Sequence, residues 1–283
     1  MSNRIGILGC GWLGTPLAES LLEKGNRVRG STTREEKVNQ LSQKGIEAGV
    51  LRLGEREIEG NPEPFLKGLD CLVVNIPPGL RKDSRADFTA RIRLLETYLQ
   101  QAAIPHLVFV SSTSVYGASQ ERVTEADPPM PDSQTGCQML EAEKVLLGNT
   151  ARTTQILRPG GLIGSDRHPV FTLSGKHIPS GGNERINLVR RQDLLQILSL
   201  LIANPSLPGI FNAVFPEHPS KREYYTREAI HFGISPPVYG DSPAPPKGKK
   251  VSGPALKALG YSFAHSIWTP DLPSHLGDIE RED

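Results

Sequence analysis

Near the amino end, Gly9, Gly11 and Gly14 stand in the spacing G-x-G-x-x-G, between an apolar run of Ile5, Ile7 and Leu8 and a segment with leucines at 13, 17 and 21. The pattern predicts a strand, a tight turn and the start of a helix. Gly9 permits the turn, Gly11 lets a diphosphate reach the backbone, and Gly14 lets the helix pack on the strand. Trp12, Leu13 and Gly14 then present a helix amino-terminus to an anion. Taken alone the spacing also fits a tight structural turn; the helix that follows, closed by Gly25, and a second strand at 26–32 favour a dinucleotide site.

The end of that second strand selects the cofactor. NAD is usually held through its ribose 2′-hydroxyl by an Asp or Glu about 20 residues after the glycines, whereas an Arg accommodates a 2′-phosphate. This chain has no acid there and has Ser31, Thr32, Thr33 and Arg34. The expected cofactor is NADP, with NAD possible; the other reading of Arg34 is a solvated residue opening a helix at 35–44. Further on, the near-continuous apolar run 71–76 reads as a strand buried on both faces, stopped by Pro77-Pro78-Gly79. Such a stop places Asn75, Ile76 and Pro77 at the carboxyl edge of a sheet, where open α/β sheets bind ligands, unless it is a simple chain reversal.

The whole composition narrows the setting. A length of 283 residues allows one large domain or a domain and a half, and a net charge of +1 with interspersed signs gives no basic stripe for nucleic acid or an anionic membrane. Cys10, Cys71 and Cys137 are odd in number and widely spaced, which suits a reducing, cytoplasmic compartment. Ile7-Leu8-Gly9-Cys10 looks like a lipid-attachment signal, but only Arg4 precedes a core broken by glycines, and cleavage there would destroy the phosphate loop. The run 197–203 is among the longest apolar stretches and is far short of a membrane span. The remaining elements expected are a weak strand at 48–53, a crossover helix at 85–101 with Phe88, Ile92, Leu95 and Leu99 on one face, a strand at 106–111 and a helix at 134–147 ended by Gly148.

The strand at 106–111 runs into Ser112-Thr113-Ser114-Val115-Tyr116-Gly117. This resembles the extended short-chain dehydrogenase/reductases, whose corresponding strand ends in Ser-Ser-x-x-Val-Tyr-Gly or close to it, with the catalytic Ser or Thr four residues before that Tyr. By that resemblance Ser112 is the catalytic hydroxyl and Ser111 lies beside the cofactor. The likeness continues through Arg158-Pro159-Gly160, whose backbone in the family approaches the nicotinamide, Asn187-Leu188-Val189 with Asp193-Leu194, Phe211-Asn212-Ala213-Val214, and an ending from Lys250 to Phe263. It spans nearly the entire chain and points to the YeeZ-like branch of atypical, epimerase/dehydratase-like members.

One departure is decisive for chemistry. Typical members carry Tyr-x-x-x-Lys one helix after the serine: the Lys lowers the phenol pKa and the Tyr passes the proton. No Tyr in this chain has Lys four residues on. With Gly136 as the residue after the family Tyr, Thr135 replaces that Tyr and Met139 the Lys. Substitute proton donors are Tyr116, the nearest phenol in sequence, and His168, which titrates near neutral pH, or water. Cys137 reads as a small buried residue and the Pro-rich basic stretch 241–250 as a solvated connection; the histidines, including His275, show no metal-ligand spacing, so no metal is expected.

The fold expected is α/β, a doubly wound parallel sheet with a dinucleotide domain at 1–165 plus 187–217 and a small substrate lobe at 166–186 and 218–283. The function expected is an NADP-preferring oxidoreductase acting on a small carbonyl or hydroxyl compound without the usual relay, as a cytoplasmic protein and a candidate homodimer. A non-catalytic dinucleotide sensor or scaffold is the rival from another class, and a nucleotide-sugar epimerase or dehydratase the third reading.

Overall fold

The computed structural model describes residues 2–80 and 83–269; residues 270–283 of the expected lobe, His275 among them, lie outside the described residues. The chain opens with β1 (Arg4–Leu8), α1 (Gly14–Glu23), β2 (Arg27–Thr32), α2 (Glu36–Gln43) and β3 (Glu47–Leu53), as the periodicity requires. Two short elements follow that the sequence does not announce, β4 (Ile58–Gly60) and α3 (Pro62–Leu66). The strand is only three residues long, and the helix is a five-residue turn opened by Pro62. Next come β5 (Cys71–Val74), α4 (Phe88–Gln101), β6 (His106–Val110), a 3-10 turn at Thr113–Val115, β7 (Arg122–Val123), α5 (Gln134–Leu147) and β8 (Thr153–Pro159). α4 starts at Phe88 because the Asp87 carboxylate caps it, accepting from the Ala90 N–H at 2.8 Å. The last third holds β9 (Gly161–Ile163), α6 (Pro169–Leu173), β10 (His177–Ile178), β11 (Leu188–Arg190), α7 (Arg191–Ala203), β12 (Gly209–Ala213), α8 (Lys221–His231), β13 (Val238–Tyr239), β14 (Lys250–Val251) and α9 (Pro254–Ala258).

One eight-stranded sheet runs in the order β12-β8-β6-β5-β1-β2-β3-β4, parallel throughout except for β4, which runs antiparallel at the edge. The order reverses direction between β1 and β5, and this is the switch point at which a doubly wound sheet opens a crevice. β5 and β6 are buried at every residue, as their unbroken apolar runs demand. On one face Leu17 and Leu21 of α1 meet Leu194, Ile197, Leu198 and Leu201 of α7. On the other, Phe88, Ile92, Leu95 and Leu99 of α4 pack with Leu146 of α5 over Leu72 and Phe109.

A third cluster, Ile163, Val170, Ile186, Leu188, Tyr224, Tyr225, Ala229 and Ile267, forms the core of a small lobe. The lobe is narrower than the sequence suggests. Residues 250–263 pack outside it: β14 pairs with β7 in a separate two-stranded sheet, Leu256 joins the core shared by α1 and α7, and the Tyr261 hydroxyl donates to the buried Asp193 carboxylate at 2.7 Å. The apolar spacing of Leu256, Leu259, Tyr261 and Phe263 is satisfied by that core, which the chain order alone does not reveal.

Because Phe109 is wholly buried in the centre of the sheet, Phe109→Ala should cost about 3 to 5 kcal/mol of unfolding free energy in a urea titration. A loss below about 1 kcal/mol would mean the α4 layer does not pack on the sheet in this way.

Candidate functional site

The glycine loop has the geometry its spacing asks for. Gly9 has φ +106°, and a Cβ there would lie 2.4 Å from the Asn75 carbonyl oxygen; a Cβ on Gly14 would lie 2.2 Å from the Gly9 carbonyl oxygen. Both are excluded sterically, the first by the approach of β5 and the second by the return of the loop onto the helix. Around Gly11 there is open space, where a side chain would project into the crevice. α1 begins without a side-chain cap after Leu13, so the N–H groups of its first turn are not spoken for by a side chain. Asn75 supports this loop: its backbone N–H donates to Leu8 and its side-chain amide to the Gly9 carbonyl at 3.2 Å. Ile76 is half-buried against the α4 side of the core, and Pro77 is exposed at the same edge.

At the end of β2 the expected hydroxyls divide by role. Ser31 is buried; its Oγ accepts from the Gly9 N–H at 3.0 Å and its carbonyl from the Cys10 N–H at 2.7 Å, so it braces the loop from behind. Thr32 is buried and its Oγ1 accepts from the Arg34 N–H, whereas Thr33 and Arg34 are exposed. Two cations that the sequence reading missed join them. The Lys37 ammonium donates to the Cys10 carbonyl at 2.7 Å, and the Arg52 Nε donates to the Thr33 carbonyl at 2.8 Å. Lys37 lies in the first turn of α2, and its backbone N–H donates to the carbonyl of Arg34, which precedes the helix. The acids nearby are Glu36, 3.7 Å from Arg34, and Glu59, paired with Arg52.

Three strands from β2, β6 delivers Ser112. Its half-buried Oγ accepts from the Ser114 N–H at 3.1 Å, capping the 3-10 turn, and its own O–H remains a donor. The neighbouring Ser111 is turned inward: it is buried, its hydroxyl donates to Glu143, and its N–H donates to the Leu157 carbonyl. Glu143 and Arg158 form a buried ion pair with Nη2 to Oε2 at 2.5 Å and Nε at 3.0 and 3.2 Å from the two carboxylate oxygens. Pro159 is buried, and Gly160 is needed for packing, since a Cβ there would lie 2.4 Å from the Asn187 carbonyl oxygen.

Both expected substitute proton donors lie in the interior. Tyr116 is wholly buried, with its hydroxyl 3.0 Å from the Thr124 carbonyl and 3.1 Å from Asn212 Oδ1 while accepting from Arg158 at 2.8 Å. Burial raises its pKa, against the lowering by Arg158 and the hydrogen bond to Asn212. His168 is also interior: Nδ1 accepts from the Val170 N–H as the cap of α6, and Nε2 lies 2.8 Å from the Tyr224 hydroxyl, which donates to the Ile267 carbonyl. Desolvation brings its pKa down to about 4, outweighing the raising effect of Glu228. Both rings are parts of the packing, not groups presented to a substrate. Cys137, expected in the interior, is exposed on α5.

Residues 4–128 match the NAD binding domain of 6-phosphogluconate dehydrogenase. Over 265 residues the chain is 32% identical to Protein YeeZ of Escherichia coli strain K12, covering 93% of this chain and 96% of that protein. The chain belongs to the YeeZ family. The YeeZ-family frame agrees with solved folds of epimerase/dehydratase type. MoeE5 in complex with UDP-glucuronic acid and NAD superposes with a TM-score of 0.75 at 19% identity, over 93% of this chain and 95% of that one. UDP-N-acetylglucosamine 4-epimerase from Bacillus cereus gives 0.74 at 17% identity, over the same shares of the two chains. A putative NAD-dependent epimerase/dehydratase from Methylobacillus flagellatus gives 0.72 at 24% identity, over 93% and 94%. This member of the YeeZ family therefore has a Rossmann fold, and its amino-terminal part, residues 4–128, matches an NAD binding domain. Among its described residues no helix is long and apolar enough to cross a membrane.

Glu143→Gln leaves Arg158 buried without its counter-charge, so chemical unfolding should show a loss of about 3 to 5 kcal/mol. A loss within about 0.5 kcal/mol would show that the pair is not desolvated. His168 gives a pH signature. Its imidazole takes up a proton near 6.5 when unfolded but only near 4 when folded, so the unfolded state binds more protons in between. Its contribution to stability is complete above about pH 6.5 and is lost as the pH falls toward 4. His168→Asn, which keeps an acceptor for the α6 cap, should flatten stability against pH across that window; an unchanged slope would place the titration elsewhere.

Proposed function

We propose that the chain is an NADP-preferring oxidoreductase acting on a small carbonyl or hydroxyl compound. The observation that carries this reading is the end of β2, where Arg34 and Lys37 stand with no acid in the place that holds a ribose 2′-hydroxyl, on the sheet edge to which β6 delivers the Ser112 hydroxyl. Bound nicotinamide supplies hydride exchange. The chain contributes the rest: the glycine loop receives the diphosphate, Arg34 and Lys37 receive the 2′-phosphate, and the Ser112 O–H donates to the substrate oxygen. Proton delivery is the weak step. Thr135 and Met139 stand where the family relay is expected, Met139 is buried, and Tyr116 and His168 are held by the interior, so water is the donor. Losing a positioned general acid typically costs about 10²- to 10⁴-fold, and the expected enzyme is accordingly slow.

The same occupied groups favour one second reading, a dinucleotide-binding sensor that has given up catalysis. Titration with NADPH and NADH, followed by nicotinamide fluorescence, addresses the cofactor. Charge-assisted hydrogen bonds of about 1.5 to 3 kcal/mol predict about a 10- to 150-fold preference for NADPH, erased by Arg34→Glu. Equal affinities would remove the NADP reading. A panel of aldehydes and ketones with NADPH addresses the chemistry: wild type should turn over slowly and Ser112→Ala should be about 10²-fold slower still. Tight NADPH binding with no turnover on any substrate would decide for the sensor.

A further inference from the structure

The Trp12 side chain is held by parts of the molecule that the glycine loop does not need for its turn. The indole N–H donates to Asp166 at 2.8 Å, and a Cβ on Gly164 would lie 2.7 Å from the ring edge, so only glycine lets the indole settle there. The guanidinium of Arg191 stands over the ring at 4.4 Å from its centroid, and that of Arg167 at 5.2 Å. Asp166, 3.3 Å from Arg191, balances one of these cations. Arg167 is exposed and has no carboxylate within 4.0 Å among the described residues. The pair of arginines thus keeps an unbalanced positive charge beside the residue that separates Gly11 from the start of α1.

The topology explains why they meet there. α1 and α7 share one face of the sheet and lead into the parallel strands β2 and β12, so both helices begin at the carboxyl edge. Arg191 is the first residue of α7 and Gly14 the first of α1. Arg167 arrives from the loop after β9, whose backbone Gly164 packs on the indole. A guanidinium stacked on an aromatic ring is oriented by it and keeps its N–H groups for oxygen acceptors, with less freedom to lose when one binds.

We propose that Arg167 and Arg191, ordered on the Trp12 ring, form an anion clamp that closes over the diphosphate of a dinucleotide seated on the glycine loop. This rests on dinucleotide binding but not on NADP over NAD, because the diphosphate is common to both. Asp166 stays with the indole N–H, and the oxygens of the diphosphate take its place as the nearest acceptors for the arginines.

Isothermal titration calorimetry with three probes separates the possibilities: ADP-ribose, which has the diphosphate but no nicotinamide or 2′-phosphate; NADPH, which has all three; and 2′-AMP, which lacks the diphosphate. Arg167→Gln and Arg191→Gln should each weaken ADP-ribose and NADPH in parallel by about 10-fold, as charge-assisted contacts do, and leave 2′-AMP unchanged. Arg34→Gln should give the reverse for 2′-AMP and ADP-ribose. ADP-ribose affinity within twofold of wild type in both Gln variants would overturn the clamp, and so would an equal loss for 2′-AMP, which would signal a collapsed loop and not a lost contact. No preference for NADPH over NADH in the wild type would sink the NADP reading while the clamp stands or falls on ADP-ribose; no ADP-ribose binding by the wild type would overturn both.

Discussion

The site rests on the ion pair between Glu143 and Arg158, whose side chains are 1% and 2% exposed. Two charges taken out of water at this depth cost several kcal/mol each, and the cost is met only when geometry is good and the remaining donors and acceptors are satisfied. Here they are: the guanidinium grips both carboxylate oxygens, Ser111 donates to the carboxylate, and Tyr116 accepts from the guanidinium while contacting Asn212. Through this network α5, β8, β6 and β12 are fixed to one another beneath the turn that carries Ser112. A second buried pair, Glu96 with Arg152 at 2.5 Å, ties α4 to the opposite end of β8. β8 is thus held at both ends by charge.

This foundation has a chemical consequence. The sequence resemblance to short-chain dehydrogenase/reductases would put an acid–base relay at Thr135 and Met139, on α5. In this member of the YeeZ family Glu143 is turned inward to hold Arg158 and Met139 faces the core, while Glu141 and Lys144 pair on the exposed side of α5. The turn is fastened from another direction, by Lys249, whose ammonium donates to the carbonyls of Thr113 and Tyr116. Its half-burial lowers its pKa, against the raising effect of Asp132. Stretch 241–250, which reads as a solvated connection, thus ends in a residue that straps the Ser112 turn.

The crevice and the lobe are coupled by similar means. Trp12 joins the glycine loop to Asp166, and two residues later His168 enters the lobe core, where it caps α6 and meets Tyr224. Aromatic contacts from His168 to Phe171, Tyr224 and Phe232 hold that core together. A change at the glycine loop therefore has a short, packed path into the lobe.

The sequence by itself determined the strand–turn–helix at the amino end, the continuous burial of β5 and β6, the extent of α5 from Gln134 to Leu147 and the steric need for glycine at 9 and 14. These follow from local rules: periodicity, the sterics of a missing Cβ, and cap residues such as Asp87 and Ser133 that act within four residues. Tertiary structure alone decided which polar side chains are available. Tyr116 and His168 carry the right groups for proton transfer, yet their partners, Asn212 and Tyr224, lie 96 and 56 residues away. Lys37, Lys249 and the C-terminal return of Leu256 to the core shared by α1 and α7 were likewise invisible, because a side chain's role depends on what the fold sets against it. Residue type states which bonds a group can form; only the packed chain states which of them are already made.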